Sequence, residues 1–137
     1  MWIIFSLLSA FFGALMTIFI KLGLKGINPI LSLTIRSLIV CIILIVFISI
    51  NGSIKSIKTI EKSKWIWLFF TAIVTFATWF FYYLALNNNS AYKVASLEKV
   101  SIIIVFILAF FVLKEKITFL DILGMIFILV GSIITSL

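Results

Sequence analysis

The stretch YKVASLEKVSIIIVFILAFFVL, residues 92–113, decides how this chain is read. After Lys99 comes an apolar run from Val100 to Leu113, interrupted only by Ser101. A helix needs roughly 20 mostly apolar residues to cross the ~30 Å hydrocarbon core of a bilayer, and this stretch supplies them. It also puts an acid, Glu98, beside a base, Lys99, inside the span. An ion at that depth is costly, so the pair demands an explanation.

Composition makes hydrocarbon the expected surroundings for the whole chain. Of 137 residues, 65% are hydrophobic and 11% charged, and the mean hydropathy is +1.42. Soluble domains are about 45–50% apolar, and a water-soluble fold of this size has too much surface to hide such an excess. The reading is an integral membrane protein with a single membrane domain over 1–137 and no soluble module. One cysteine, Cys41, excludes an internal disulfide and a cysteine metal cluster. With no histidine there is no imidazole base, ligand or pH switch. The net charge of +7 belongs to the connections between spans and to lipid headgroups rather than to nucleic acid.

Five segments are long and apolar enough to span, giving an all-α bundle of five transmembrane helices at about 2–22, 29–50, 65–86, 91–113 and 119–137. Asn28-Pro29 reads as an N-cap followed by an N1 proline. Thr118 with Asp121 three residues on reads as a capping box, flanked by an Ile117/Ile122 staple. The first segment has no basic leader and no small-residue cleavage site, so it reads as a permanent span. Counting lysines at the span ends puts Lys55, Lys58, Lys62, Lys64, Lys114 and Lys116 on one side and Lys21, Lys25 and Lys93 on the other. The bias makes the first side cytoplasmic, with the N-terminus mainly inside. Trp2, Trp65 and Trp67 mark the same boundary. Amino-acid usage rich in Lys, Ile and Asn suits a low-GC prokaryote and its cytoplasmic membrane.

Arg36 lies seven residues past Pro29, about 10 Å into the second helix, and Glu98 lies about 12 Å into the fourth. Both helices start from the non-cytoplasmic side, so Arg36, Glu98 and Lys99 share a layer, with Lys21 at its upper edge. Helical neighbours lie three and four residues away. For Glu98 these are Val94, Ala95, Ser101 and Ile102. For Lys99 they are Ala95, Ser96, Ile102 and Ile103. None is charged. Compensation must come from other helices, water or a ligand. One reading is a structural Arg36–Glu98 ion pair with Lys99 snorkelling to the interface. The other is a polar site whose excess of bases suits an anionic or zwitterionic solute. Trp79, Tyr82 and Tyr83 lie at a similar depth on the third helix, either as an interface belt or as site walls.

Small residues recur on the first helix (Ser9, Gly13, Thr17; Ala10, Ala14) and the fifth (Gly124, Gly131, Thr135), as packing rows do. There is no Walker motif, no GxGxxG, no HExxH and no Ser/His/Asp set. The acids are Glu61, Glu98, Glu115 and Asp121, which offer no two-carboxylate centre. No enzyme, metal or cofactor is expected.

The residues that remain carry a resemblance over essentially the whole chain. Lys21 closing the first helix, NPILSLTIR with Pro29 and Arg36, and ALNNNSAYKVASLEKVSIIIVFILAFFVLKEKIT followed by LGMIFILVG are similar to a single EamA-type domain of the drug/metabolite transporter superfamily, in its five-span bacterial and archaeal branch. In that family the loop before the last helix usually begins with glycine, where this chain has Lys114. The resemblance implies transport of a small metabolite by alternating access. Ten-span members join two such domains in opposite orientations, so a five-span chain needs an inverted partner, either a second copy or a paralogue. The tetraspan cousins that export cationic drugs use a first-helix glutamate, which this first helix lacks.

The expectation is therefore a secondary transporter of an amino acid or related zwitterion or anion, working as half of an inverted dimer in the lipid bilayer. Its substrate-binding residues would be Arg36, Glu98, Lys99, Trp79, Tyr82 and Tyr83, with Glu98 also a candidate for coupling. The competing expectation is an accessory or flippase-partner subunit that keeps the charges to fix helix register.

Overall fold

Each long apolar run forms a helix, because in hydrocarbon every backbone N–H and C=O must be satisfied within its own segment. The structure, a computed structural model, describes the backbone of residues 1–137 and every side chain except that of Lys55. It is all-helical among these residues. The helices are α1 (Trp2–Gly23), α2 (Pro29–Ile50), α3 (Lys62–Asn88), α4 (Ala91–Glu98), α5 (Ser101–Phe111) and α6 (Phe119–Ser136), with a 3₁₀ helix at Ser53–Thr59. Five spans are long and apolar enough to cross a membrane, α4 and α5 together making the fourth.

The starts of α2 and α6 follow the sequence signals. Asn28 Oδ1 accepts from the Ile30 N–H at 2.9 Å, and Pro29 opens α2. At α6 the Thr118 N–H donates to Asp121 Oδ2 at 2.8 Å, and the Asp121 N–H donates back to Thr118 Oγ1 at 3.3 Å. The turns after α1 and α2 each use a glycine in the left-handed region, Gly26 (φ 76°) and Gly52 (φ 67°).

Two helices differ from the sequence expectation. The third begins at Lys62, earlier than Trp65, because its polar first turn continues the helix beyond the apolar run. The fourth was expected as one helix over 91–113. It narrows instead at Lys99–Val100, where amides bond three residues back in place of four: Lys99 to Ser96, Val100 to Leu97, Ile102 to Lys99 and Ile103 to Val100. That is the tighter 3₁₀ pattern. It then ends at Phe111, because the Leu113 and Glu115 N–H groups reach back to the Leu108 and Ala109 carbonyls.

Two compact units are present. In residues 20–87, the buried apolar side chains are Ile20, Leu24, Leu33, Tyr83 and Leu86, from the end of α1, the start of α2 and the last turns of α3. In the other unit, residues 1–19 with 88–137, α4 packs along α6, and Thr17 and Ser132 are its buried polar side chains. Most large apolar residues are exposed, as in Phe47 at 64% and Phe127 at 74%, because lipid tails solvate them as well as protein does. The glycine rows need a correction as packing faces. A Cβ placed at Gly13, Gly124 or Gly131 meets nothing within 4 Å, so no backbone approaches closely there. On α6 the contact falls to Thr135, which bonds Ser96.

Candidate functional site

The proline that opens α2 fixes where Arg36 falls, two turns into the span. Its guanidinium carbon stands 4.4 Å from the centre of the Trp79 ring. The Tyr83 hydroxyl lies beside the guanidinium. Trp79 and Tyr83 are four residues apart on α3 and so share one face. Tyr83 is 2% exposed, and the Arg36 Nη1 atom is buried. Trp79 is half-buried, and a cation over an indole gains from about 0.5 kcal/mol when exposed to about 2 kcal/mol when desolvated. The stack occupies the guanidinium face, while the N–H fork lies in the guanidinium plane, the geometry that grips carboxylates bidentately.

An open groove of about 480 Å³ between α2 and α3 ends at the same Trp79. Leu33, Leu68, Ala72 and Phe76 make its walls apolar, and Ser37, Thr71 and Thr75 supply hydroxyls. The Ser37 and Thr71 hydroxyls donate to backbone carbonyls one turn back, which leaves lone pairs toward the groove.

Lys21, expected at the upper edge of a basic layer, has a specific task. Its Nζ donates to the Leu86 carbonyl at 2.6 Å and to the Asn87 carbonyl at 3.4 Å. These are last-turn carbonyls of α3, which have no partner within the helix and carry the negative end of its dipole. Lys93 does the same for α6, donating to the Leu137 carbonyl at 2.9 Å.

Glu98 and Lys99 close α4, at its narrowing into α5. Both are exposed. Neither side chain bonds another described residue. The helix packed on α4 is α6, which grips it through Lys93–Leu137 and Ser96–Thr135 and whose one ionisable side chain is Asp121.

Of the six residues named from the sequence, the structure therefore brings Arg36, Trp79 and Tyr83 together in one cluster. Tyr82 is half-buried on α3, about 100° around from Tyr83. Glu98 and Lys99 belong to the other unit. Sequence reasoning missed the carbonyl grips of Lys21 and Lys93. Neither grip had a local signal, because each joins a lysine to helix-end carbonyls far away in sequence.

Residues 1–137 match the EamA-like transporter family. The chain belongs to that family. It is also similar to an uncharacterized transporter in the cobO 3' region of Sinorhizobium sp., 31% identical over 135 residues, which cover 98% of this chain and 96% of the relative. No solved structure matches it. Membership makes this EamA-type chain a multi-pass membrane protein of the drug/metabolite transporter kind.

Proposed function

We propose that the chain is a secondary transporter of a small zwitterionic or anionic metabolite, an amino acid or a close relative, working by alternating access as half of an inverted dimer. The observation that carries the reading is the Arg36 guanidinium, two turns into α2, stacked on Trp79 and set beside Tyr83. Arg36 takes the solute's negative group through its N–H fork. Trp79 and Tyr83 hold the fork in place, and the neighbouring groove receives an apolar side chain. Tyr82 and Lys99 complete the binding set, and Glu98 carries the coupling proton. Transporter sites lie at repeat interfaces near the midplane, which is why a half-size chain needs a second, inverted half. In this reading the protein sits in the cytoplasmic membrane of a prokaryote with its N-terminus mainly inside.

The test is uptake by proteoliposomes of the full chain, offered a panel of labelled amino acids and small carboxylates. The wild type should accumulate at least one of them. Arg36→Lys keeps the charge but loses the fork and the stack, and it should lower that uptake about tenfold or more. Wild-type liposomes that take up none, or an Arg36→Lys rate equal to wild type, would refute the carrier reading. Labelling of cysteines placed at each terminus, in intact cells, reports orientation. Both ends reachable from both sides support an inverted pair of identical copies, and one-sided labelling points to a paralogous partner.

A further inference from the structure

We infer that, in the solute-free protein, Glu98 and Lys99 form a self-complementary contact between two copies of this chain, each copy's acid meeting the other's base within the bilayer. The inference rests on the inverted-pair reading above and assigns its contact residues.

Depth comes first. The fourth span runs Ala91–Phe111, so its middle is Ser101. Glu98 and Lys99 lie about 4.5 and 3 Å from that middle along the axis. The nearer edge of the hydrocarbon is then about 10–12 Å away, too far for a four-carbon stem to carry its charge into water. Ions there need protein around them.

Their own unit does not supply it. The neighbours three and four residues along the helix are uncharged. α6 holds α4 by Lys93 and Ser96. At about 100° per residue, Glu98 projects roughly 140° from Lys93 and 160° from Ser96, on the face turned away from α6. Residues 1–19 and 101–111, the other helical parts of this unit, contain no ionisable side chain. Both side chains are exposed and bond no other described residue.

A second copy fits what is left. A two-fold interface uses the same patch twice, so the patch must complement itself. An acid adjacent to a base satisfies that condition, and two like charges would not. Nearness to the middle matters as well. Turning one copy upside down separates Glu98 from the partner copy's Lys99 by about 7.5 Å in height, a gap that two extended side chains close. A pair placed near either membrane surface would be carried across the whole bilayer. The contact also falls at the interface between inverted halves, where a solute would pass.

Charge exchange tests this. The full-length protein is reconstituted into lipid nanodiscs large enough for two copies, and the dimer fraction is read by mass and by chemical cross-linking. Wild type should be dimeric. Glu98→Lys leaves two bases and Lys99→Glu two acids, so each alone should lose dimer by about tenfold or more. Mixing these two variants should restore a dimer containing one of each. The double variant E98K/K99E should pair like wild type, which also shows that charge at these positions does not prevent folding. Single variants that dimerise as wild type does, or a mixture that fails to recover, would overturn the contact. A monomeric wild type would overturn it too, whether a different protein or lipid alone covers the pair. Because the readout is mass, a good dimer without uptake refutes the carrier and leaves the contact standing. Uptake by the wild type, together with single variants that dimerise normally, does the reverse.

Discussion

The Arg36 guanidinium carbon stands 4.4 Å above the Trp79 ring centre, so a charge on α2 is held by an aromatic face on α3. The same indole borders the groove beside it. If the stack positions the fork, removing the ring should cost more than removing the indole alone. Trp79→Phe keeps a weaker aromatic face and should reduce initial uptake in proteoliposomes a few-fold. Trp79→Leu keeps bulk without a face and should reduce it about thirtyfold, the equivalent of ~2 kcal/mol. Equal rates for the two variants would mean that Trp79 serves as packing and not as a platform.

Lys21 holds a main-chain carbonyl whose residue, Leu86, is 0% exposed. Lys21→Met keeps the stem but leaves that oxygen without the ammonium, so the end of α3 should loosen. Hydrogen bonds to charged groups contribute about 1.5–3 kcal/mol. Reversible unfolding in mixed micelles should show a loss of that order. Lys21→Arg, which restores donors, should recover most of it. An unchanged midpoint for Lys21→Met would show that water or lipid satisfies the carbonyl equally well.

The five spans were legible because the bilayer sets one length scale and each run between polar breaks meets it. The Asn28 and Thr118 caps were legible because they are local, needing only side chains within three residues of the amides they serve. The depth of Arg36 followed from counting residues after Pro29. That Trp79 lies under it did not, because periodicity places residues on a helix but says nothing of which way the helix turns toward its neighbour. The grips of Lys21 and Lys93 join residues far apart in sequence for the same reason. The narrowing at Lys99–Val100 left no sign either, since no proline or glycine stands there to announce it.

Lys114 has φ 55°, the left-handed region that costs a residue with a Cβ about 1–2 kcal/mol. It lies in the bend where α5 ends, with the next N–H, that of Glu115, returning to the Ala109 carbonyl. The position where family resemblance leads one to expect glycine is thus one whose backbone favours glycine. Lys114→Gly should raise unfolding stability by about 1 kcal/mol. Lys114→Ala removes the charge but keeps the Cβ, and it should leave stability nearly unchanged. If alanine stabilises as much as glycine, the penalty lies in the lysine's charge and not in the backbone.

Glu98 is the acid of the coupling proposal, and its surroundings make the test specific. The ionisable side chains beside it on the same span are Tyr92, Lys93 and Lys99, and α6 adds Asp121 at its first turn. Lys93 is occupied with the Leu137 carbonyl. In the coupling proposal Glu98 is the carboxylate that takes up a proton as its pairing with the other copy's Lys99 breaks. Glu98→Gln matches its shape but cannot carry that proton. Uptake driven by an imposed pH gradient should vanish in the variant, while exchange of labelled for unlabelled solute at equal pH continues, because exchange needs the binding site but no net proton movement. Full gradient-driven uptake by Glu98→Gln would remove Glu98 from coupling. Loss of exchange along with uptake would instead make it part of the binding site or of the contact between copies, and the charge-exchange variants separate those two roles.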